Sequence, residues 1–120
     1  MEQRNILIIE DDPNMLETLV EYIEDHSGDR FDLNLKTTSS IEKAQKHLGE
    51  ERFDLILLDL NLDDGHGNNV LDYLEKMENH PKTIVFSGAI EEHNNSTIDD
   101  VFFISKTQIN RLSFLLKLNL

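Results

Sequence analysis

An open α/β sandwich built on a parallel sheet is the fold this sequence predicts, and three observations predict it. Four short runs are almost wholly apolar: ILII at 6–9, LILL at 55–58, TIVFS at 83–87 and VFFIS at 101–105. Rich in Ile, Val and Phe, they suit strands covered on both faces. The stretches between them carry apolar residues at helical spacing. Strand and helix alternate in chain order, which gives βαβ units whose right-handed crossovers put helices on both sides of the sheet.

The first run leads directly into Glu10, Asp11 and Asp12. Asp12 is placed as the N-cap and Pro13 as the first residue of a helix whose apolar face is Met15, Leu16, Leu19, Val20 and Ile23. FDLNLKTT at 31–38 alternates apolar with polar residues, predicting a half-exposed second strand. The stretch SSIEKAQKHLG offers serine caps, a face of Ile41, Ala44 and Leu48, and Gly49 as a stop.

LILL then ends at Asp59. Asp63 and Asp64, beside Gly65 and Gly67, read as turn residues, and His66, with no second histidine at ligand spacing, as a loop residue. Val70, Leu71, Leu74 and Met77 stripe a third helix that must end before Pro81. Residues 88–100 hold little apolar periodicity and several poor helix formers, so the fourth helix, expected there, is short or irregular. A last helix is predicted over 107–118. Its end, LSFLLKLNL, has more apolar residues than one face buries; it packs on a partner or a homodimer mate, or the chain is trimmed from a longer protein.

With 120 residues, 38% of them hydrophobic, the chain reads as one domain over 1–120. The absence of cysteine excludes disulfides and thiolate chemistry. A net charge of −13, from 24 acids against 11 Lys and Arg, repels phosphate backbones, so direct nucleic-acid binding is not expected and the partner is a protein or a cation. The first apolar run is too short and too soon acidic for a signal peptide or a membrane span. A soluble, cytoplasmic protein is expected.

In open α/β sheets ligands bind beyond the carboxyl ends of the strands. Glu10, Asp11 and Asp12 follow the first strand, Asp59 ends the third, Ser87 the fourth, and Lys106 follows the fifth. Carboxylates brought that close raise one another's pKa unless a cation or a donor compensates them. A hard oxygen cluster of this kind suits Mg²⁺.

Together these features resemble the receiver domain of a two-component response regulator, of the chemotaxis-regulator type, over nearly the whole chain. The residues that carry the resemblance are EDD after the first strand, LILLDLNL with its aspartate, Gly67 eight residues beyond it, FSGA and FFISK. The resemblance implies a flavodoxin-like, doubly wound five-stranded sheet of order 2-1-3-4-5. By it Asp59 is the phosphoacceptor, taking a phosphoryl group from the phosphohistidine of a sensor histidine kinase or phosphotransfer protein. Asp11 ligates Mg²⁺ directly, Glu10 through water, and the Asn61 backbone carbonyl supplies a further ligand. Lys106 pairs with the phosphoryl oxygens, while Ser87 and Phe103 form the switch whose output goes to an effector or a homodimer through 88–120. No membrane partner is implied, and the domain is a signalling module rather than a metabolic enzyme.

Three positions depart from the family. Thr107 replaces the proline usual after the lysine, and Asp63 replaces the one usual four residues beyond the phosphoacceptor; the segment from Ser87 to Lys106 is short. These departures motivate a competing reading, a pseudo-receiver that binds partners without phosphorylation. A third, a Mg²⁺-dependent aspartyl-phosphate phosphohydrolase, needs a second acid two residues after the nucleophile, where Asn61 stands.

Overall fold

In a computed structural model that describes residues 2–27, 29–62, 64–77, 80–87 and 101–119, Ile6 to Ile9 and Leu55 to Leu58 have no solvent exposure at all. Only central strands covered on both faces permit that. The elements are β1 (Gln3–Ile9), α1 (Pro13–Ser27), β2 (Asp32–Thr38), α2 (Ile41–Glu50), β3 (Leu55–Asp59), β4 (Asn61–Leu62), β5 (Gly65–His66), α3 (Asn68–Glu75), β6 (Lys82–Ser87), β7 (Val101–Ser105), a 3₁₀ helix (Lys106–Arg111) and α4 (Leu112–Asn119). The main sheet runs β2-β1-β3-β6-β7 with every neighbouring pair parallel. Setting aside the small β4–β5 hairpin, this is the expected 2-1-3-4-5 order.

Alternation along each strand sorts the core into two layers. Leu7, Ile9, Ile56, Leu58 and Val85 pack with Ile41, Ala44 and Leu48 of α2 and Val70, Leu71 and Leu74 of α3. Ile6, Ile8, Leu55, Leu57, Ile84 and Phe86 pack with Leu19 and Ile23 of α1 and Leu112 and Leu116 of α4. Each Leu, Ile, Val or Phe among them, taken fully out of water, contributes about 1.5–3 kcal/mol. α1 and α4 are also joined by a polar contact, His26 Nε2 to Ser113 Oγ at 2.6 Å. β2, at one edge of the sheet, is half-exposed as its alternation predicts.

The helix starts follow the caps read from sequence. Asp12 Oδ1 accepts from the Asn14 N–H at 2.9 Å, and Ser40 Oγ from the Lys43 N–H at 3.0 Å. Three details differ from the sequence reading. Gly49 lies inside α2, which ends only when the Glu51 N–H closes onto the His47 carbonyl. Met77 lies beyond α3, where its N–H reaches the Leu74 carbonyl at 3.0 Å, yet it still packs on the α2–α3 core. The last helix is not one regular element: a 3₁₀ stretch over Lys106–Arg111, kinked within itself at Gln108 (φ −117°, ψ 34°), runs into α4 at Leu112. The expected short or irregular fourth helix at 88–100 lies outside the described residues. No helix among the described residues is long and apolar enough to cross a membrane.

α4 is thus held by its own domain rather than by a partner alone: Leu112 and Leu116 are fully buried on the α1 side. Leu116→Ala is expected to destabilise the isolated chain by about 2–5 kcal/mol, read as a lower urea midpoint at unchanged slope.

Candidate functional site

Parallel pairing of β1 with β3 sets Ile9 opposite Leu58, so the residues that follow, Glu10 and Asp59, emerge side by side at the carboxyl edge of the sheet. Both are buried, 2% and 1% exposed. The Glu10 backbone N–H continues the ladder to the Thr38 carbonyl at 3.0 Å. Asp11, half-buried, donates its N–H to Glu10 Oε2 at 3.1 Å. Asp59 is answered on both oxygens: Oδ1 accepts from the Asn61 N–H at 3.1 Å, and Oδ2 meets Lys106 Nζ at 3.1 Å.

One carboxylate oxygen each from Glu10, Asp11 and Asp59 lies within 4.8 Å of the others. Glu10 Oε1 is buried and accepts no hydrogen bond from the described residues. A buried carboxylate oxygen with no donor has two remedies, to keep a proton or to face a cation. Burial first, and then the neighbouring Asp59 carboxylate, push the Glu10 pKa up to about 9, against the smaller pull of Lys106 and the Asp11 N–H. The donor set, all hard oxygen and already short of positive charge, fits Mg²⁺.

Asn61 owes its place to the chain after β3. β4 pairs antiparallel with β5, and the Gly67 N–H reaches back to the Leu60 carbonyl at 2.6 Å. A Cβ on Gly67 would stand 2.8 Å from both the Asp59 carbonyl oxygen and the Leu60 Cα. Those neighbours are backbone and cannot give way, so only glycine lets the loop fold back so closely. Gly65, at φ +147°, supplies the other bend.

Lys106 is delivered by a hydroxyl clamp. Ser105 Oγ accepts from the Thr107 N–H at 3.2 Å and bonds Thr107 Oγ1 at 2.9 Å, capping the 3₁₀ turn that Lys106 begins. No cis peptide occurs among the described residues, so the Lys106–Thr107 bond is trans and the turn is braced by two hydroxyls.

Glu10, Asp11, Asp59, Asn61 and Lys106 are therefore gathered at one point. Ser87 ends β6 one residue beyond Phe86, the register partner of Asp59; its hydroxyl is outside the described atoms. Phe103 is half-buried opposite Val85 and packs on the α2–α3 side of the core. Asp12 serves as the cap of α1, and Asp63 and the His66 side chain are outside the description. Asp64 is more than a turn residue: its carboxylate accepts from the Ile41 and Glu42 N–H groups at the start of α2, which holds its pKa below the usual value. No spacing rule in sequence signals a cap contributed from another element. A cavity of about 360 Å³ opens beside Glu10 and Asp11, lined further by Thr38, Ser39, Lys43 and His47.

A family model described as the response regulator receiver domain matches residues 6–107. The response regulator protein PilR of Pseudomonas aeruginosa is 31% identical over 85 residues, which is 71% of this chain and 18% of that protein. The chain thus spans about a fifth of that relative's length. Among solved structures, a CheY-like receiver domain from Methylobacillus flagellatus superposes with a TM-score of 0.79 at 23% identity, covering 99% of this chain and all of that one. The receiver domain of the sensor histidine kinase PA1611 from Pseudomonas aeruginosa, solved with magnesium in its active-site cleft, has a TM-score of 0.73 at 14% identity and covers 95% of this chain and 97% of that one.

Because the folded pKa of Glu10 lies above its ordinary value of 4.5, its contribution is fully present below that value and is lost as pH rises through about 9. In metal-free buffer the melting temperature should fall across this window. Glu10→Gln, which carries no titrating proton, should flatten the fall and melt higher than wild type at the alkaline end.

Proposed function

The chain belongs to the response regulator receiver domain family of two-component signalling, and on that premise we propose that Asp59 is its phosphoacceptor, charged by the phosphohistidine of a sensor histidine kinase or phosphotransfer protein. The Asp59 carboxylate attacks phosphorus in line through one of its oxygens, the P–N bond breaks, and the imidazole leaves with the bonding electron pair. The product is an acyl phosphate on Asp59. The observation that carries this reading is that Asp59, almost without exposure, is held between the Lys106 ammonium and the Asn61 N–H at 3.1 Å each.

Glu10, Asp11, Asp59 and the Asn61 carbonyl are the groups that would hold Mg²⁺. Bound there, the cation would neutralise the carboxylates and the incoming phosphoryl oxygens, the main electrostatic task in phosphoryl transfer. Support comes from the donorless Glu10 oxygen and from the magnesium found in the PA1611 receiver. Lys106 balances charge on the phosphoryl group, with Ser105 and Thr107 fixing the turn from which it reaches. No general base is needed, since Asp59 is the nucleophile and no proton is removed from it.

The proposed output is a two-state change in which Ser87 approaches the phosphoryl group and Phe103 moves further into the core, altering a surface read by a downstream protein or a second copy. Residues 1–120 act in this reading as one cytoplasmic receiver domain that catalyses only its own phosphorylation and dephosphorylation.

Intact-protein mass after incubation with acetyl phosphate and Mg²⁺ is the test. The wild type should gain one phosphoryl group, while Asp59→Asn, or wild type with excess chelator, gains none. Lys106→Ala should slow the gain by roughly 10²–10³-fold, the loss typical of removing one charge-stabilising donor. A modified Asp59→Asn protein would place the phosphoryl group elsewhere and sink the assignment.

A further inference from the structure

The loop that follows β3 is tied to the start of α2 by the side chain of Asp64. Asp64 Oδ1 accepts from the Ile41 N–H at 2.9 Å, and Oδ2 lies 3.0 Å from the same N–H and 3.4 Å from that of Glu42. Ser40 Oγ takes the Lys43 N–H. Three of the N–H groups that α2 leaves unpaired at its start are thus answered, two of them by a residue 23 positions along the chain. Ser40 is an ordinary local cap; a second cap from a distant loop constrains that loop as much as the helix.

What it constrains is the β4–β5 hairpin. Asp64 stands between the two strands, next to Gly65 with its positive φ, and Ile41 Cδ1 comes within 3.1 Å of where a Gly65 Cβ would sit. Asn61 and Gly65 are exposed, so that among the described residues of the hairpin Leu62 is the one buried anchor. The carboxylate of Asp64 supplies the second point of attachment. Asn61, at the start of β4, gives its N–H to Asp59.

We propose that Asp64 is a positioning residue for the cation site: its bonds to the start of α2 fix the β4–β5 hairpin, and with it the Asn61 backbone against Asp59. The proposal rests on the reading above in which the Asn61 carbonyl joins the carboxylates in holding Mg²⁺. Asp64 touches neither metal nor substrate, and acts through the loop that does.

The test is Mg²⁺ affinity, followed by the NMR shifts of the Asp59 and Asn61 amides, in wild type, Asp64→Ala, Asp64→Asn and Ser40→Ala. Asp64→Ala should bind Mg²⁺ roughly tenfold more weakly, as loss of a group supporting a metal ligand typically does. Asp64→Asn, which keeps one acceptor, should fall between. Ser40→Ala removes a cap from the same helix and the Ser40 hydroxyl's contact with the Asp64 carboxylate but leaves both backbone bonds of Asp64, so it should lower the melting temperature while weakening Mg²⁺ binding clearly less than Asp64→Ala does. Unchanged affinity in Asp64→Ala, or an equal loss in Ser40→Ala, overturns the proposal and leaves the metal site standing. Failure of the wild type to bind Mg²⁺ overturns the metal reading and this one together. If Asp64→Ala does not fold, Asp64→Asn against Ser40→Ala makes the same comparison.

Discussion

The parallel pairing of β1 with β3 is the constraint on which the rest of the site depends. It carries two apolar strands through the middle of the domain and releases them at the same height. The next residue of β1 and the last of β3 are then both acidic and both buried. Two carboxylates placed so close in a poorly hydrated edge are unstable as a pair of anions. Everything nearby answers that instability: Lys106 from the far side of the sheet, N–H groups from Asn61 and Asp11, and a proton or a cation for the remaining oxygen of Glu10.

The answering groups differ in how they are held. The acids stand at the ends of strands whose flanking side chains are packed in both core layers. Lys106 and Asn61 sit just past strand ends, on turns made rigid by a few polar contacts: the Ser105–Thr107 hydroxyls for one, the Gly67 fold-back and the Asp64 cap for the other. A site so arranged keeps its charge fixed in place and confines adjustment to the turns.

Much of this was legible in sequence, because strands buried on both faces leave a plain mark. ILII, LILL, TIVFS and VFFIS could not be surface helices, and acids directly after two such runs pointed to one edge. The caps Asp12 and Ser40 were readable as well, since a cap acts on residues two or three positions away. What escaped had no local signature. Asp64 looks like any aspartate before glycine, and its partners Ile41 and Glu42 are near only in space. The β4–β5 hairpin is too short to show alternation. Gly49 resembled a stop because glycine often is one, but in α2 the Glu51 N–H closes the last turn on the His47 carbonyl. The kink at Gln108 falls at the end of the polar stretch SKTQ, which has no apolar spacing to mark it.

The cap on α2 also bears on the order in which the chain can assemble. α2 ends at Glu50, and the residue that completes its N-terminus comes later in the chain, beyond the whole of β3. During synthesis the helix is finished before its second cap exists. Until β3 has docked beside β1 and the following loop has closed, only Ser40 caps the first turn, and the Ile41 and Glu42 amides are left to water. Local helix formation is fast, whereas a contact across that span carries a loop-closure cost. The second cap of α2 is thus completed only with the docking that brings Asp59 beside Glu10.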